Sequence, residues 1–196
     1  MRSVARVLKR GLTDIYWTVR GPGISLPAIP HNPKSFLFVC KGNICRSPFA
    51  EHLAAKLWDE RHVTGSVFGS AGLHVSKPLP SPEDAIRVAK QYGVHLDSHR
   101  SQAISQELVE SYDMIIAMES WQYAELQLSF KHHQEKLFLL PLLDSKGPAK
   151  QYGYAAFNIQ DPYGGTPSAF EECFERIGRC IEGLFNLIRL EVDAGH

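Results

Sequence analysis

The sequence predicts an α/β fold, built on a parallel sheet with helices covering both of its faces. The first observation is that short apolar runs alternate along the chain with longer segments of helical periodicity. The second is that the runs are apolar almost throughout, which is typical of parallel strands buried from both sides. The predicted strands are 35–39, 66–70, 112–118 and 136–140, and the predicted helices are 47–61, 82–92, 120–130 and 168–192.

Each element also carries a local signal. Gly93 ends the second predicted helix and Ser120 supplies an N-cap for the third. The first helix has Pro48 in its first turn, where a missing N–H costs nothing, and its apolar residues follow at helical spacing, at Phe49, Leu53, Leu57 and Trp58. Since ligands bind beyond the carboxyl ends of parallel strands, a site is expected in the loops that follow them.

Composition narrows the class of protein. The chain has 196 residues, of which 44% are hydrophobic and 21% charged, and this suits one globular domain with an ordinary core. A formal net charge of zero gives no electrostatic reason to expect nucleic acid as a partner. Four cysteines are too few for a disulfide scaffold and fit a reducing cytoplasm. The histidines lack ligand spacing, so no metal site is expected.

Residues 1–33 differ from the rest and are predicted to form an N-terminal extension to a main domain over 34–192. Residues 1–34 carry six basic side chains against one acidic, a formal charge of +5. Residues 2–20 fit a basic amphipathic helix, which ends at the turn signal 21–23 and does not resemble a secretory signal. Its apolar face can dock on the main domain or another subunit, or the helix can lie on an anionic membrane surface. A disordered extension is the third alternative.

The most informative segment joins the first strand to the first helix. Cys40 and Arg46 stand six positions apart at the ends of a short loop. Unpaired N–H groups and the dipole at a helix start attract anions and favour a thiolate over a thiol. Gly42 and Asn43 tolerate the left-handed backbone angles that a tight anion-binding loop needs. The alternative is a buried structural thiol near an unrelated arginine.

A backbone cradle with one guanidinium suits a phosphate monoester, because arginine grips two oxygens at once. In this interpretation Cys40 attacks phosphorus to form a phosphocysteine, and Arg46 binds the equatorial oxygens. Ser47 either hydrogen-bonds the sulfur or simply caps the helix. Asp161, before Pro162 in a turn-forming segment, is the candidate acid for the leaving group, or else an ordinary turn residue.

The motif Val39-Cys40-Lys41-Gly42-Asn43-Ile44-Cys45-Arg46-Ser47-Pro48, together with Asp161-Pro162-Tyr163-Gly164, resembles the low-molecular-weight protein tyrosine phosphatases. Ser70-Ala71-Gly72, His99-Arg100 and Met118-Glu119 also fall where that family places similar residues, and the resemblance covers about 35–190. It implies a three-layer, flavodoxin-like, four-stranded parallel sheet, and catalysis without metal or cofactor. Position by position, Cys40 resembles the nucleophile, Arg46 the phosphate clamp, and Asp161 the general acid and later base.

The resemblance also implies supporting roles. Asn43, Ser47, Ser70 and His99 match the hydrogen-bond network that supports the family's loop, and Cys45 matches a second thiol able to form a reversible disulfide with Cys40. A passive core thiol is the alternative for Cys45. Tyr163 either stacks on an aromatic substrate or packs within its loop. The residues expected to bind substrate are Lys41, Gly42, Asn43, Ile44, Cys45, Ser47 and Tyr163.

Two departures from the family concern specificity. Lys41 adds charge at a position that is often apolar, and 73–78 lacks the aromatic residue that walls the cleft in many members. Ile44 favours an aryl phosphate. The expected substrate is a phosphotyrosine protein, and resemblance alone suggests a bacterial tyrosine kinase. Alternatives are an arsenate reductase, disfavoured because Cys173 and Cys180 lie within a predicted helix, and a non-catalytic phosphotyrosine-binding regulator.

Overall fold

The structure, a computed structural model, describes residues 27–61, 65–145 and 153–194. The predicted basic helix over 2–20 lies outside the described residues. Helices are found at Arg46–Glu60 (α1), Glu83–Gln91 (α2), Gln106–Ser111 (α3), Ser120–Ser129 (α4), Tyr154–Phe157 (α5) and Pro167–Ala194 (α6). Strands are found at Ser35–Cys40 (β1), Val67–Gly72 (β2), Met114–Ala117 (β3) and Leu137–Leu139 (β4), and 3₁₀ turns at Lys131–Lys136 and Leu140–Leu143.

The four strands form one parallel sheet in the order β2-β1-β3-β4, which confirms the predicted sheet. β1 lies at its centre, where Val39 pairs with Ala71 on one side and Ala117 on the other. The chain passes from β1 through α1 to β2 on one side of β1 and then returns to β3 on its other side. This reversal in strand order beside β1 places a crevice at the carboxyl end of β1.

Side chains alternate between two apolar layers, so the helices do cover both faces. Phe36 and Phe38 point into the larger layer, in which Phe49 of α1 stacks on Phe174 of α6 with ring centroids 3.8 Å apart. Leu37 and Val39 point into the other layer, against α3 and α4. Each face of β1 is therefore fully buried, and its end is a rigid base for the loop that follows.

Four short elements were not predicted. α3 has six residues, α5 has four, and the two 3₁₀ turns have six and four. Elements this short span at most two helical turns, so they show no apolar periodicity. In the described part of the chain, no helix is both long enough and apolar enough to span a membrane.

Candidate active site

Residues 40–46 form a loop that curls around the sulfur of Cys40. The Cys40 side chain is buried, at 3% exposure. Its Sγ accepts a hydrogen bond from the Asn43 N–H at 3.3 Å and lies 3.1 Å from Ser47 Oγ. Asn43 holds the left-handed conformation predicted for it, with φ of 53°. The sulfur thus has a backbone N–H and a hydroxyl within hydrogen-bond distance, and both can stabilise a thiolate.

The start of α1 faces the same point. Cys45 is the N-cap residue and its side chain caps nothing. Ser47 lies inside the helix, so the alternative that it is the N-cap is wrong. Because the N-cap side chain takes none of the first-turn N–H groups, the backbone N–H groups of Arg46 and Ser47 can bind an anion.

Asn43 is the centre of a buried hydrogen-bond network behind the loop. Its Nδ2 donates to Ser47 Oγ at 3.0 Å and to Ser70 Oγ at 2.8 Å. Its Oδ1 accepts from the Gln102 N–H at 2.8 Å, and its carbonyl oxygen lies 2.7 Å from His99 Nε2. We call Asn43, Ser47, Ser70, His99 and Gln102 the rear network. All four residues predicted to support the loop are here.

The rear network continues into α1, since Ser70 Oγ donates to Glu51 Oε2 at 2.6 Å. Burial lowers the pKa of His99, and its bond to the Asn43 carbonyl opposes this only in part. Gly72 packs against the back of the loop, because a Cβ at this position would stand only 2.9 Å from the backbone nitrogen of Asn43. Sequence reasoning missed Glu51 and Gln102, whose polar side chains carry no local motif.

Arg46 lies between two carboxylates although its side chain is only 1% exposed. Its NH1 donates to Glu119 Oε1 at 2.5 Å and to the Ile159 carbonyl at 3.0 Å. Its NH2 lies 2.8 Å from Asp161 Oδ2. Burial lowers the pKa of the guanidinium, but the charges of Cys40, Glu119 and Asp161 outweigh burial and raise it. The arginine is therefore a fixed cation.

Glu119 is held in turn by other side chains. It accepts from Gln122 Nε2 and from Tyr154 Oη, both at 2.9 Å. Burial, together with the charge of Glu119, raises the pKa of Tyr154. Sequence analysis gave none of these three residues a role. The one signal available was the pair Met118-Glu119, which follows the apolar strand β3 and falls where the family places similar residues.

Asp161 contacts Arg46 across the mouth of the site. Its side chain is 38% exposed, whereas Arg46 is buried. The Nε of Arg46 is also buried and has no hydrogen-bond partner among the described residues. A phosphate can therefore take this unused donor and compete with Asp161 for NH2. Loss of that contact frees the carboxylate to face a leaving group.

A cleft of about 260 Å³ opens over Cys40. Its lining includes most of the predicted site residues, namely Cys40, Lys41, Gly42, Ile44, Cys45, Arg46, Asp161 and Tyr163. Asn43 and Ser47, expected to bind substrate, are fully buried behind it. We call Lys41, His74, Lys77, Asp161 and Tyr163 the rim; all five are exposed, and Tyr163 reaches 65%. The rim thus carries two lysines, a histidine and a tyrosine beside the single carboxylate of Asp161.

An aromatic residue does stand near the cleft wall. The ring of Trp121, in α4, lies 5.7 Å from that of His74, which lines the cleft. The segment 73–78 lacks an aromatic residue, as noted above. A neighbour supplied from α4 could not be foreseen from that segment alone.

The four cysteines are free and buried. Burial, and next the charge of Cys40, raises the pKa of Cys45, so this thiol is protonated at neutral pH. Cys173 and Cys180 both lie within α6, as predicted. Burial raises the pKa of Cys180 to about 12. A thiol fixed in a packed helix is poorly placed to relay a disulfide to Cys40.

Comparison with known proteins agrees with this geometry. The sequence profile of the low molecular weight phosphotyrosine protein phosphatases matches residues 35–194. A probable low molecular weight protein-tyrosine-phosphatase, EpsP of Ralstonia nicotianae, is 32% identical over 156 residues, 80% of this chain and 97% of that protein. The low molecular weight protein-tyrosine-phosphatase Etp of Escherichia coli is 33% identical over 149 residues, which are 76% of this chain and 90% of that protein.

Solved structures show the same fold. The tyrosine phosphatase amsI of Erwinia amylovora superposes with a TM-score of 0.67 at 26% identity, covering 79% of this chain and 92% of that one. The YwlE arginine phosphatase of Geobacillus stearothermophilus superposes with a TM-score of 0.69 at 26% identity, covering 84% of this chain and 98% of that one. The three-layer, flavodoxin-like prediction is thereby confirmed.

The chain belongs to the low molecular weight protein tyrosine phosphatase family. The predicted enzyme class, a phosphoric monoester hydrolase, is confirmed with it. The arsenate reductase and the non-catalytic regulator are not favoured, since both sequence relatives and the Erwinia structure are named as tyrosine phosphatases.

Proposed function

We propose that the protein hydrolyses phosphotyrosine in proteins through a phosphocysteine intermediate. The observation that carries the proposal is the convergence, in one cleft, of the Cys40 sulfur, the open N-terminus of α1, the Arg46 guanidinium and the Asp161 carboxyl group. These are a nucleophile, an anion cradle, a phosphate clamp and a proton donor, and together they are sufficient for phosphoryl transfer.

In the first step, the phosphate of the substrate binds the loop N–H groups and Arg46. The Cys40 thiolate attacks phosphorus in line, a P–S bond forms, and the P–O bond to tyrosine breaks. Asp161 gives its proton to the leaving phenolate. Glu119 holds the guanidinium through NH1, so NH2 and Nε remain for the phosphoryl oxygens.

In the second step, water attacks the phosphocysteine. Asp161 now takes a proton from that water, and the P–S bond breaks to release inorganic phosphate. Ser47 Oγ, 3.1 Å from the sulfur, stabilises the departing thiolate. The rear network holds the loop still through both steps, so its members other than Ser47 act by positioning alone.

Kinetics with para-substituted aryl phosphates test this mechanism. The wild-type protein is expected to turn them over without added metal and with an acidic optimum. Cys40→Ser should abolish turnover, because a hydroxyl at that position remains protonated. Undiminished turnover by Cys40→Ser would exclude the covalent route.

The site residues also support a choice of aryl over other phosphates. Ile44 and Tyr163 offer apolar and aromatic surface at the cleft, which suits a phenyl ring. Since one structural relative is named an arginine phosphatase, the discriminating measurement compares kcat/KM for a phosphotyrosine peptide with that for a phosphoarginine peptide of the same sequence. A preference for phosphoarginine would overturn the aryl assignment.

For the physiological partner, we propose a phosphotyrosine protein such as a bacterial tyrosine kinase, acting in the cytoplasm. Family resemblance supports the kinase, and four free cysteines support a reducing compartment. A substrate-trapping pulldown with full-length Cys40→Ser, eluted by orthovanadate, tests it. Recovery of no tyrosine-phosphorylated protein would remove this partner.

Residues 34–192 are proposed to be the catalytic domain and residues 1–33 an extension that contacts a membrane or docks on a protein surface. A +5 charge over 1–34 supports the membrane alternative. Pelleting with anionic liposomes, comparing the full chain with one starting at Pro33, separates the alternatives. Equal pelleting of both would exclude membrane contact through residues 2–20.

We also propose that peroxide oxidises Cys40 and Cys45 to a disulfide. Both thiols line the same cleft. The two thiols lose two protons and two electrons, and hydrogen peroxide is reduced to water. Peptide mapping of oxidised protein should find the Cys40–Cys45 crosslink, and Cys45→Ala should convert reversible inactivation into irreversible loss. Full recovery of oxidised Cys45→Ala with dithiothreitol would contradict this role.

A further inference from the structure

Three potential metal ligands meet on the side of the loop away from the cleft. Glu51 and His52 are neighbours on α1, and His99 comes from the segment between α2 and α3. One ligand atom from each lies within 4.8 Å of the others. Tetrahedral zinc at ligand distances near 2.0–2.1 Å needs its ligands roughly 3.3 Å apart, so small side-chain rotations would close the site.

His99 is already oriented as a metal-binding histidine usually is. Its Nε2 lies 2.7 Å from the Asn43 carbonyl oxygen, which can only accept, so Nε2 carries the proton. Nδ1 is then the nitrogen with a free lone pair. Ligating histidines characteristically donate their other N–H to a backbone carbonyl or carboxylate, which fixes ring and tautomer.

Glu51 can bind a metal and still keep its hydrogen bond to Ser70 of the rear network. Its Oε2 accepts from Ser70 Oγ at 2.6 Å, and a carboxylate has a second oxygen and further lone pairs. His52 is not buried, so an ion has a path from solvent. Adjacent positions on a helix do not normally share a ligand, and sequence spacing therefore gave no sign of this cluster.

We propose that Glu51, His52 and His99 bind a zinc-like divalent ion and so tie α1 to the segment that carries His99. Two imidazoles and one carboxylate suit zinc, nickel or copper, whereas magnesium prefers oxygen ligands and water. Through His99, a bound ion restrains the Asn43 carbonyl and hence the loop. The site lies outside the cleft, takes no part in catalysis and does not depend on the proposed function.

The test is zinc binding by the full-length protein, measured by competition with a colorimetric zinc indicator. His52→Gln removes one ligand from a side chain that is not buried. We expect its apparent zinc affinity to fall at least about tenfold. His132→Gln, a change of the same kind at an exposed histidine outside the cluster, should bind zinc as the wild type does. Magnesium should not compete with zinc in any of these proteins.

Thermal unfolding gives a second readout, since a ligand that binds only the folded state raises Tm. Zinc should raise the Tm of wild type and His132→Gln, and raise that of His52→Gln less. Substitution with Co²⁺ separates this site from the Cys40 sulfur, because thiolate ligation would add a near-ultraviolet charge-transfer band. The proposal is overturned by equal zinc affinity in wild type and His52→Gln, by no zinc binding to the wild type, or by that thiolate band.

Discussion

The rear network and the rim lie on two sides of one loop, and they differ in burial and in what holds their side chains in place. Four of the five rear-network residues are buried or half-buried, and the exposed Gln102 joins them through its backbone N–H. The hydrogen bonds that link them measure 2.7–3.0 Å. Rim side chains are exposed and carry charge or an aromatic ring. A buried network holds a single geometry because every broken bond leaves an unpaired group, whereas exposed side chains can move or be exchanged at little cost. The rear network thus fixes the geometry of the reacting loop, and the rim determines which substrate is preferred.

Arg46 connects the two regions, so its substitution should have the largest effect. Arg46→Lys keeps the charge but loses the fork that engages Glu119 through NH1 and leaves NH2 and Nε for phosphate. We expect kcat/KM to fall on the order of 10³-fold, as when a preorganised donor to a transition state is lost. Arg61→Lys, a change of the same kind at the surface, should change kcat/KM less than twofold. Steady-state kinetics on an aryl phosphate measure both.

Asp161 is the rim residue with a chemical role. Asp161→Asn should lower the rate of enzyme phosphorylation by about 10²-fold or more for poor leaving groups and far less for p-nitrophenolate, which needs no proton. The measurement is the dependence of pre-steady-state burst rates on leaving-group pKa. A dependence as shallow in Asp161→Asn as in wild type would contradict the role, and exposed Asp97→Asn is the matched control.

Asn43→Ala removes the hydrogen bonds of the Asn43 side chain to Ser47, Ser70 and the Gln102 N–H. The backbone carbonyl that faces His99 is unchanged. Stability should drop by about 2–3 kcal/mol, and kcat by roughly tenfold, because the loop loses its support. Urea unfolding and steady-state kinetics give the two numbers. Asn32→Ala is a strict control, since Asn32 shares the φ of 53° but is exposed. Equal losses in both variants would assign the effect to backbone strain instead.

His99 makes the rear network sensitive to pH. Burial lowers the pKa of His99 in the folded chain below its unfolded value of about 6.5. At a pH between these two pKa values, the unfolded chain therefore binds more protons than the folded chain. The contribution of His99 to stability is complete above pH 6.5 and is lost as pH falls toward the folded pKa. His99→Gln should flatten the fall in stability between pH 7.5 and 5, as followed by urea midpoints, whereas exposed His132→Gln should not.

Lys41 should show the smallest effect. Lys41→Gln removes an exposed rim charge, so KM for an acidic phosphopeptide should rise only a few-fold and kcat should hold. The rise should disappear at high salt, because screening removes the same attraction in the wild type. Lys131→Gln, outside the cleft, is the control. A large fall in kcat would place Lys41 with the chemistry and break the division between rear and rim.

Sequence alone predicted the reacting groups Cys40, Arg46 and Asp161, and four of the five members of the rear network. Cys40, Arg46 and Asn43 could be recognised because they share one ten-residue motif, and the strands could be recognised because they are apolar almost throughout. Asp161 was a candidate acid from its turn-forming segment, with an ordinary turn residue as the alternative, and the resemblance favoured the acid. Glu119, Gln102 and Glu51 were given no role because each reaches the loop from another element, and a tertiary contact leaves no periodic trace. The rear network depends on such contacts more than the rim does.

The covalent role of Cys40 is the central claim, and intact-mass spectrometry of acid-quenched enzyme tests it most directly. Full-length protein mixed with an aryl phosphate and quenched within the first turnover should carry one phosphoryl group, mapped to Cys40. Asp161→Asn should retain it longer, since the group that deprotonates the hydrolytic water is missing. Turnover at the wild-type rate with no phosphoryl group on Cys40 at any quench time would contradict the account.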